Sequence, residues 1–283
     1  MTLGEVYRRG KKILDDVQNE SPAFDAGCLF EKAFGLDRQE RILQSSREAD
    51  AQKAQAYFST VRERAAGRPL QYILGEWPFL DFTLKVGEGV LIPREETELL
   101  VRTAAEMLKN VQKPKIADLC SGTGAVALGL AELLPGAEVA AVEKYPQAMQ
   151  FLHKNIEETR IQGVTALKAD VLSSAAAENF SSLDGIVSNP PYVCRKEISG
   201  LQEEVRQEPC EALDGGEDGL MFYRAIAKIW LPKLKPGGIA AVEIGEEQAQ
   251  AVAELFSEKL MNLRVLQDFS GFDRVVCGLL KKA

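Results

Sequence analysis

Lys115-Ile116-Ala117-Asp118-Leu119-Cys120, then Ser121-Gly122-Thr123-Gly124, then Ala125-Val126-Ala127-Leu128-Gly129-Leu130-Ala131 is the stretch that decides the fold of this 283-residue chain. A short apolar run, a glycine turn and a run of small helix formers read as strand, loop and helix start. Glycine at such a junction lets a ligand lie against the backbone, where a Cβ would collide with it. The pattern recurs downstream. Residues 137–142 read as a second buried strand, ending at Glu143, where a carboxylate can accept hydrogen bonds from both hydroxyls of a ribose. Residues 164–168 form a third strand leading to Asp170, placed to face an adenine amino group, and residues 183–188 a fourth that runs into Asn189-Pro190-Pro191-Tyr192. Farther on, 221–234 reads as a helix, Gly237-Gly238 as a turn, 239–244 as a strand and 247–260 as a helix. Two last strands, 263–269 and 272–280, are joined at Ser270-Gly271. Strands alternating with helices require a largely parallel sheet covered on both faces, and the final pair adds an antiparallel edge. The expected fold is α/β: a Rossmann-like, seven-stranded, mostly parallel sheet with an antiparallel C-terminal edge hairpin.

The tetrapeptide after the fourth strand carries the chemistry. Two φ-locked prolines stop the ladder, and Pro190 has no N–H of its own, so its carbonyl is left for a ligand. The Asn189 side-chain oxygen and the Pro190 carbonyl can each accept one N–H of a planar –NH2 group, with Tyr192 over its plane. Such a nitrogen is a poor nucleophile because its lone pair is delocalised, so it needs orientation more than a strong base. Alone, the tetrapeptide reads equally as a strand-ending turn with a packed ring. The glycine loop decides between these readings, because open α/β sheets bind ligands along the edge where both motifs fall.

Gly122-Thr123-Gly124-Ala125-Val126-Ala127 also fits the G-x-G-x-x-A form of a dinucleotide fingerprint. Three features favour S-adenosylmethionine instead. Asp118 lies four residues before Gly122, where it can orient the loop and reach an ammonium group. The single histidine, His153, sits in an amphipathic helical stretch rather than at a strand end. The third feature is the amide-binding rim itself.

Over residues 68–280 the chain resembles the peptide chain release factor glutamine N5-methyltransferases. The resemblance rests on Arg68-Pro69-Leu70-Gln71-Tyr72-Ile73-Leu74-Gly75-Glu76, on Val90-Leu91-Ile92-Pro93-Arg94-Glu95-Glu96-Thr97-Glu98-Leu99-Leu100, on the stretch from Asp118 to Gly124, on Asn189-Pro190-Pro191-Tyr192, and on Glu208-Pro209, Ala212-Leu213, Gly215-Gly216 and Asp218-Gly219-Leu220. It implies methyl transfer from S-adenosylmethionine to the glutamine amide of a Gly-Gly-Gln motif, with S-adenosylhomocysteine as product and a release factor as protein partner. By position it implies Asn189, Pro190 and Tyr192 as catalytic residues that, with Pro191, bind the substrate amide. Asp118, Cys120, Ser121, Gly122, Thr123, Gly124, Glu143, Asp170, Val171 and Asn189 are implied at the cofactor. The family usually has proline where Glu95 stands and commonly glycine where Cys120 stands. Adenine-N6 methyltransferases of DNA or RNA share a similar Asn/Asp-Pro-Pro-Tyr rim and form the alternative.

Net charge is −8, so the surface as a whole repels polyanions and a nucleic-acid substrate is disfavoured. No run of 18 apolar residues and no signal-peptide pattern occurs, so neither membrane nor export is expected. Five cysteines without a C-x-x-C pair indicate neither a disulfide framework nor a metal site, and point to the cytoplasm. A monomer is expected.

Three regions follow from the pattern: a helical substrate-docking domain at 1–73, a β-hairpin linker at 74–92 and the methyltransferase domain at 93–283. In the first, Ser21-Pro22 starts a helix whose Phe24, Cys28, Leu29, Phe30 and Phe34 read as one core-facing stripe. In the linker, 77–86 is expected to pair with 87–92. A helix opening at Pro93 runs to about Asn110, and Arg94 and Thr97 read equally as cleft lining or as a loop-to-helix junction. The long polar stretch 194–219 reads as a substrate-gating lid, with Glu208-Pro209 near the amide site.

Overall fold

The computed structural model describes residues 1–282. They divide into two compact units, Met1–Glu76 with Gln202–Gln207, and Trp77–Leu201 with the chain from Glu208 onward.

The first unit contains α1 (Leu3–Asp16), α2 (Pro22–Phe34), α3 (Arg38–Leu43), α4 (Ala51–Ala65) and α5 (Leu70–Leu74). Capping boxes start two of them, Thr2 with Glu5 and Asp37 with Glu40, each pairing side chain to backbone in both directions. The core is aromatic: Phe30 stacks on Phe34 at 4.4 Å and meets Tyr57 edge-on at 5.6 Å. Leu29, Phe30 and Phe34 are buried as the stripe requires, but Phe24 is 56% exposed. It lies roughly 120° round the helix from Phe30, off the inward face. Arg64 is buried and donates to Asp25 at 2.6 Å and also to Glu204. Together with the Gln207 amide on the Gly67 carbonyl at 2.9 Å, this ties 202–207 to the helical unit, whereas the sequence places that segment in a polar lid.

The second unit opens with the two-stranded sheet of β1 (Glu76–Phe79) and β2 (Phe82–Lys85), turning at Leu80, whose φ is +50°. The hairpin therefore closes before Gly87 rather than pairing 77–86 with 87–92, because glycines at 87 and 89 interrupt the alternation that a ladder needs. There follow α6 (Glu96–Leu108), β3 (Lys115–Leu119), α7 (Ala125–Leu133), β4 (Glu138–Glu143), α8 (Pro146–Thr159), β5 (Val164–Lys168), β6 (Leu183–Ser188), α9 (Met221–Ala225), β7 (Leu234–Glu243), α10 (Ala249–Ser257), β8 (Leu260–Gln267) and β9 (Asp273–Leu280).

The strands form one sheet in the order β5-β4-β3-β6-β7-β9-β8, parallel except where β9 pairs with β7 and β8. This is the expected α/β architecture. Two apolar clusters cover its faces, one drawing on Leu100, Leu108 and Leu128, the other on Tyr223, Trp230 and Phe256. Two elements differ from the sequence reading. The helix expected over 221–234 is α9 followed by a π-helical turn at Ile226–Trp230 and a 3-10 turn at Leu231–Lys233. That widened turn buries Trp230, whose indole N–H reaches the Val171 carbonyl at 2.9 Å. Gly237-Gly238 does not precede β7 but lies within it, across from a register shift between Leu183 and Gly185. Among the described residues no helix is long and apolar enough to cross a membrane.

One buried amide fastens the glycine loop to its surroundings. Asn155 on α8 donates to the Thr123 carbonyl at 2.9 Å and to the Lys85 carbonyl at 3.1 Å, and it accepts from the Lys85 N–H at 2.7 Å. Deleting it removes three hydrogen bonds, one of them to the buried Thr123 carbonyl. Asn155→Ala is expected to lower stability by about 1–3 kcal/mol, read as a reduced midpoint in urea unfolding with an unchanged slope.

Candidate active site

Register brings the motifs together. Leu119 of β3 sits opposite Ser188 of β6 on one side and Val142 of β4 on the other, and Glu143 pairs with Lys168 of β5. The carboxyl ends of the four strands therefore share one rim, and the strand order reverses at β3, where open α/β sheets form a crevice. A cavity of about 450 Å³ opens there, within the roughly 300–1,000 Å³ typical of small-ligand clefts. Of the residues singled out from the sequence, Cys120, Ser121, Gly122, Thr123, Glu143, Asp170, Val171, Asn189 and Pro191 line it. Asp118, Gly124, Pro190 and Tyr192 do not.

Each of those four has a definite place. Gly124 caps α7 from the left-handed region at φ +86°, where a Cβ would stand 2.6 Å from Leu152 Cδ1. Asp118, expected to reach a ligand, is fully buried beneath the loop and accepts from the Ala127 N–H at 3.1 Å. Burial pushes its carboxyl up to about 7, with Glu143 adding to the rise against the opposing hydrogen bonds. Pro190 is buried, and among the described residues its carbonyl accepts no hydrogen bond. Tyr192 packs its ring against the second apolar cluster, and its carbonyl accepts from the Gln248 side-chain amide at 2.9 Å. Gly219, at φ +72°, lies so close that a Cβ there would stand 2.4 Å from that carbonyl oxygen. Part of the stretch expected as a lid is thus packed on the backbone of the rim.

The cavity wall holds carboxylates in fixed directions. Glu143 accepts from the backbone N–H groups of Gly122 at 2.9 Å, Lys144 at 2.6 Å and Tyr145 at 2.8 Å. Asp170 accepts from the Leu172 N–H at 2.9 Å and pairs with Lys144 Nζ at 2.9 Å. Cys120 lies at φ +62°, in the left-handed region that favours glycine. Between these walls run Val142, Ala148, Val171 and Phe222. A carboxylate-flanked apolar slot floored by a glycine turn fits a nucleoside with an amino-acid tail. Among the described residues no cluster of side chains could hold a metal ion.

Further contributors are residues that the sequence left open between two readings, or did not single out. Asn189 Nδ2 donates to Thr97 Oγ1 at 3.1 Å, and Thr97 donates to Glu243 Oε2 at 2.7 Å. Thr97 lines the cavity and so resolves as a cleft residue, while Arg94 lines a separate groove and pairs with Glu208. Glu208 is buried and accepts from the Ile92 N–H at 2.8 Å, leaving Pro209 as the member of that pair on the cavity wall. Met221 and Phe222 complete the wall. The legible signal for Glu243 was its place at the end of a fifth strand on the same edge.

Burial raises both Asp118 and Glu243 to about 7. Unfolded carboxyls release their protons near 4, so between about pH 4 and 7 the folded chain binds more protons than the unfolded chain. Stability accordingly falls as pH rises across that window. The urea midpoint is expected to be lower at pH 8 than at pH 6, with a smaller difference in Asp118→Asn; equal midpoints in the parent protein would contradict the assignment.

Comparison with known proteins agrees with the geometry. Residues 5–75 match the PrmC N-terminal domain, and residues 95–217 match the methyltransferase small domain. A release factor glutamine methyltransferase of Moorella thermoacetica is 38% identical over 275 residues, spanning 96% of this chain and 95% of its own length. One from Geobacter sulfurreducens is 36% identical over 279 residues, spanning 98% and 96%. The T. thermophilus 16S rRNA N2 G1207 methyltransferase, solved with AdoMet and guanosine, superimposes with a TM-score of 0.52 at 22% identity, over 73% of this chain and 50% of its own, a likeness of fold. With near full-length identity above the level that marks common descent, the chain belongs to the release factor glutamine methyltransferase family.

Proposed function

We propose that the cavity binds S-adenosylmethionine and presents its methyl group to the side-chain amide N5 of the glutamine in the Gly-Gly-Gln motif of a peptide chain release factor. The observation that carries this reading is the shared lining of one cavity by the glycine loop, Cys120 to Thr123, and by Asn189 of the adjacent strand. In this assignment Cys120, Ser121, Gly122 and Thr123 cradle the cofactor, Glu143 holds its ribose, and Asp170 and Val171 flank its adenine. Asp118 and Gly124 act from behind, by shaping the loop.

When bound, the sulfonium supplies an electrophilic methyl carbon that the amide nitrogen takes, the C–S electron pair staying on sulfur and one N–H proton passing to solvent. The chain's own residues orient the nitrogen. Asn189 Oδ1 and the Pro190 carbonyl accept its two N–H bonds, turning its lone pair toward the methyl carbon, while Pro191 and Tyr192 hold the rim rigid. Proximity and alignment of this kind can lower a barrier by roughly 7–11 kcal/mol in favourable cases. One chain supplies every group named, which suits a monomeric working unit, and its five free cysteines suit a reducing cytoplasm.

The helical region 1–73 is proposed to grip the release factor away from the glutamine. Ile42 and Leu43 stand 60% and 83% exposed at the end of α3, a surface suited to an apolar partner. The double substitution Ile42→Asp with Leu43→Asp is expected to raise KM for an intact release factor while leaving kcat on a short Gly-Gly-Gln peptide at its parent value. Equal KM values for the intact factor would remove the docking role.

The defining assay supplies labelled S-adenosylmethionine together with a release factor, its Gln→Ala variant and a DNA duplex. Label is expected on the intact glutamine alone; label confined to the duplex would replace this reading with adenine-N6 methylation. Asn189→Ala is expected to reduce single-turnover methylation by on the order of 10²-fold, with a much smaller change in cofactor affinity measured by calorimetry.

A further inference from the structure

An asparagine amide is two-faced. Turning it by 180° about its last bond exchanges Oδ1 for Nδ2 at little intrinsic cost, because that torsion is broad and two-fold. Only one face can accept an N–H, so a residue whose task is acceptance needs a neighbour that forbids the other. The chain Asn189 Nδ2 to Thr97 Oγ1, 3.1 Å, and Thr97 Oγ1 to Glu243 Oε2, 2.7 Å, provides that neighbour.

The logic is proton counting. The Thr97 hydroxyl has one proton. When Glu243 is a carboxylate it can only accept, so the Thr97 proton points to it, and the Thr97 oxygen can then only accept from Asn189. Nδ2 must face Thr97 and Oδ1 must face the acceptor pocket. When Glu243 carries a proton, it can donate to Thr97, whose own proton is then free to reach Asn189 Oδ1. The turned amide is then equally satisfied and offers the substrate a donor where an acceptor is needed.

We propose that Glu243, acting through Thr97, is the positioning residue that fixes Asn189 as a hydrogen-bond acceptor. The inference rests on the reading of Asn189 as the amide-binding group. Glu243 is 1% exposed and Thr97 3% exposed, so water does not compete for either. The groups facing the carboxyl come from several elements. Arg94 and Glu96 lie at the entry to α6, Arg274 on β9, Tyr192 after β6, and Tyr223 on α9, which donates to the Glu243 backbone carbonyl at 2.8 Å. Burial favours the protonated form most strongly and Glu96 adds to it; the Thr97 hydrogen bond, Arg274 and Arg94 favour the carboxylate, and the balance leaves Glu243 at about 7. The switch between the two amide orientations therefore falls within the working range of pH.

The test is a pH profile of kcat from 5.5 to 9 on a release factor, joined to a measurement that needs no turnover. The parent enzyme is expected to lose rate as pH falls through the Glu243 transition and to level off about two- to tenfold below its plateau, because both amide orientations are then open. Glu243→Gln can either accept from Thr97 or donate to it, so its rate should be independent of pH across that transition and about two- to tenfold below the parent plateau. Thr97→Val should lose the acid limb and Thr97→Ser keep it, which preserves the test should Glu243→Gln fail to fold. In the ligand-free protein the Asn189 side-chain NH2 resonances, assigned by their absence in Asn189→Ala, should titrate with a midpoint near 7 and should not do so in Glu243→Gln. An acid limb retained in Glu243→Gln, identical profiles for the two Thr97 variants, or Asn189 resonances that do not move with pH would each overturn the inference. Absence of methyl transfer by the parent enzyme at every pH would instead overturn the reading of the site.

Discussion

Parallel pairing of β3 with β6, Leu119 opposite Ser188, is the constraint on which the site depends. A parallel ladder aligns the ends of neighbouring strands, so whatever follows each strand is delivered to the same edge. The glycine turn follows one and the amide-bearing tetrapeptide the other. These two segments lie about 70 residues apart in the chain, yet the pairing sets them against one cavity. A one-residue slip would exchange the faces of every side chain on β6 and remove Asn189 from the pocket.

Around that pairing the molecule places carboxylates with unequal fates. Glu143 is fastened by three backbone N–H groups and Asp170 by one together with a lysine, so both side chains are held in fixed directions on the wall. Asp118 and Glu243, at the ends of β3 and β7, are held in the interior, where the neutral form is favoured near 7. Carboxyl oxygens held in fixed directions can bind hydroxyl and amino groups. A carboxyl that changes state near neutrality can instead order the dipoles around it.

The sheet and the loop were legible because each depends on local pattern: apolar strands of period-independent burial, glycines at the strand ends, and a helix of small residues after the turn. Asn189, Glu143 and Asp170 were legible for the same reason, since each sits at or just past the carboxyl end of a strand. Thr97 was legible as one of two readings, cleft lining or loop-to-helix junction, but its pairing with Glu243 was not, because it joins the start of α6 to the end of β7, a proximity that only the folded sheet creates. Phe24 misled because an aromatic near a helical stripe looks inward until the angle is measured. The hairpin misled because the extended run from Gly87 carries strand-like residues but no regular alternation. Residues 202–207 misled because a polar segment gives no sign that Arg64, far away in sequence, holds Glu204.

Cys120 occupies a left-handed turn on the wall of the cavity, with Glu143, Asp118 and Asp170 nearby. Burial and those negative neighbours push its thiol well above the usual range, so it stays protonated. A thiolate is a strong nucleophile and a thiol a weak one. In the proposed cofactor pocket a thiolate at this position would compete with the substrate amide for the sulfonium methyl group, and the neutral thiol that burial enforces at Cys120 does so far less.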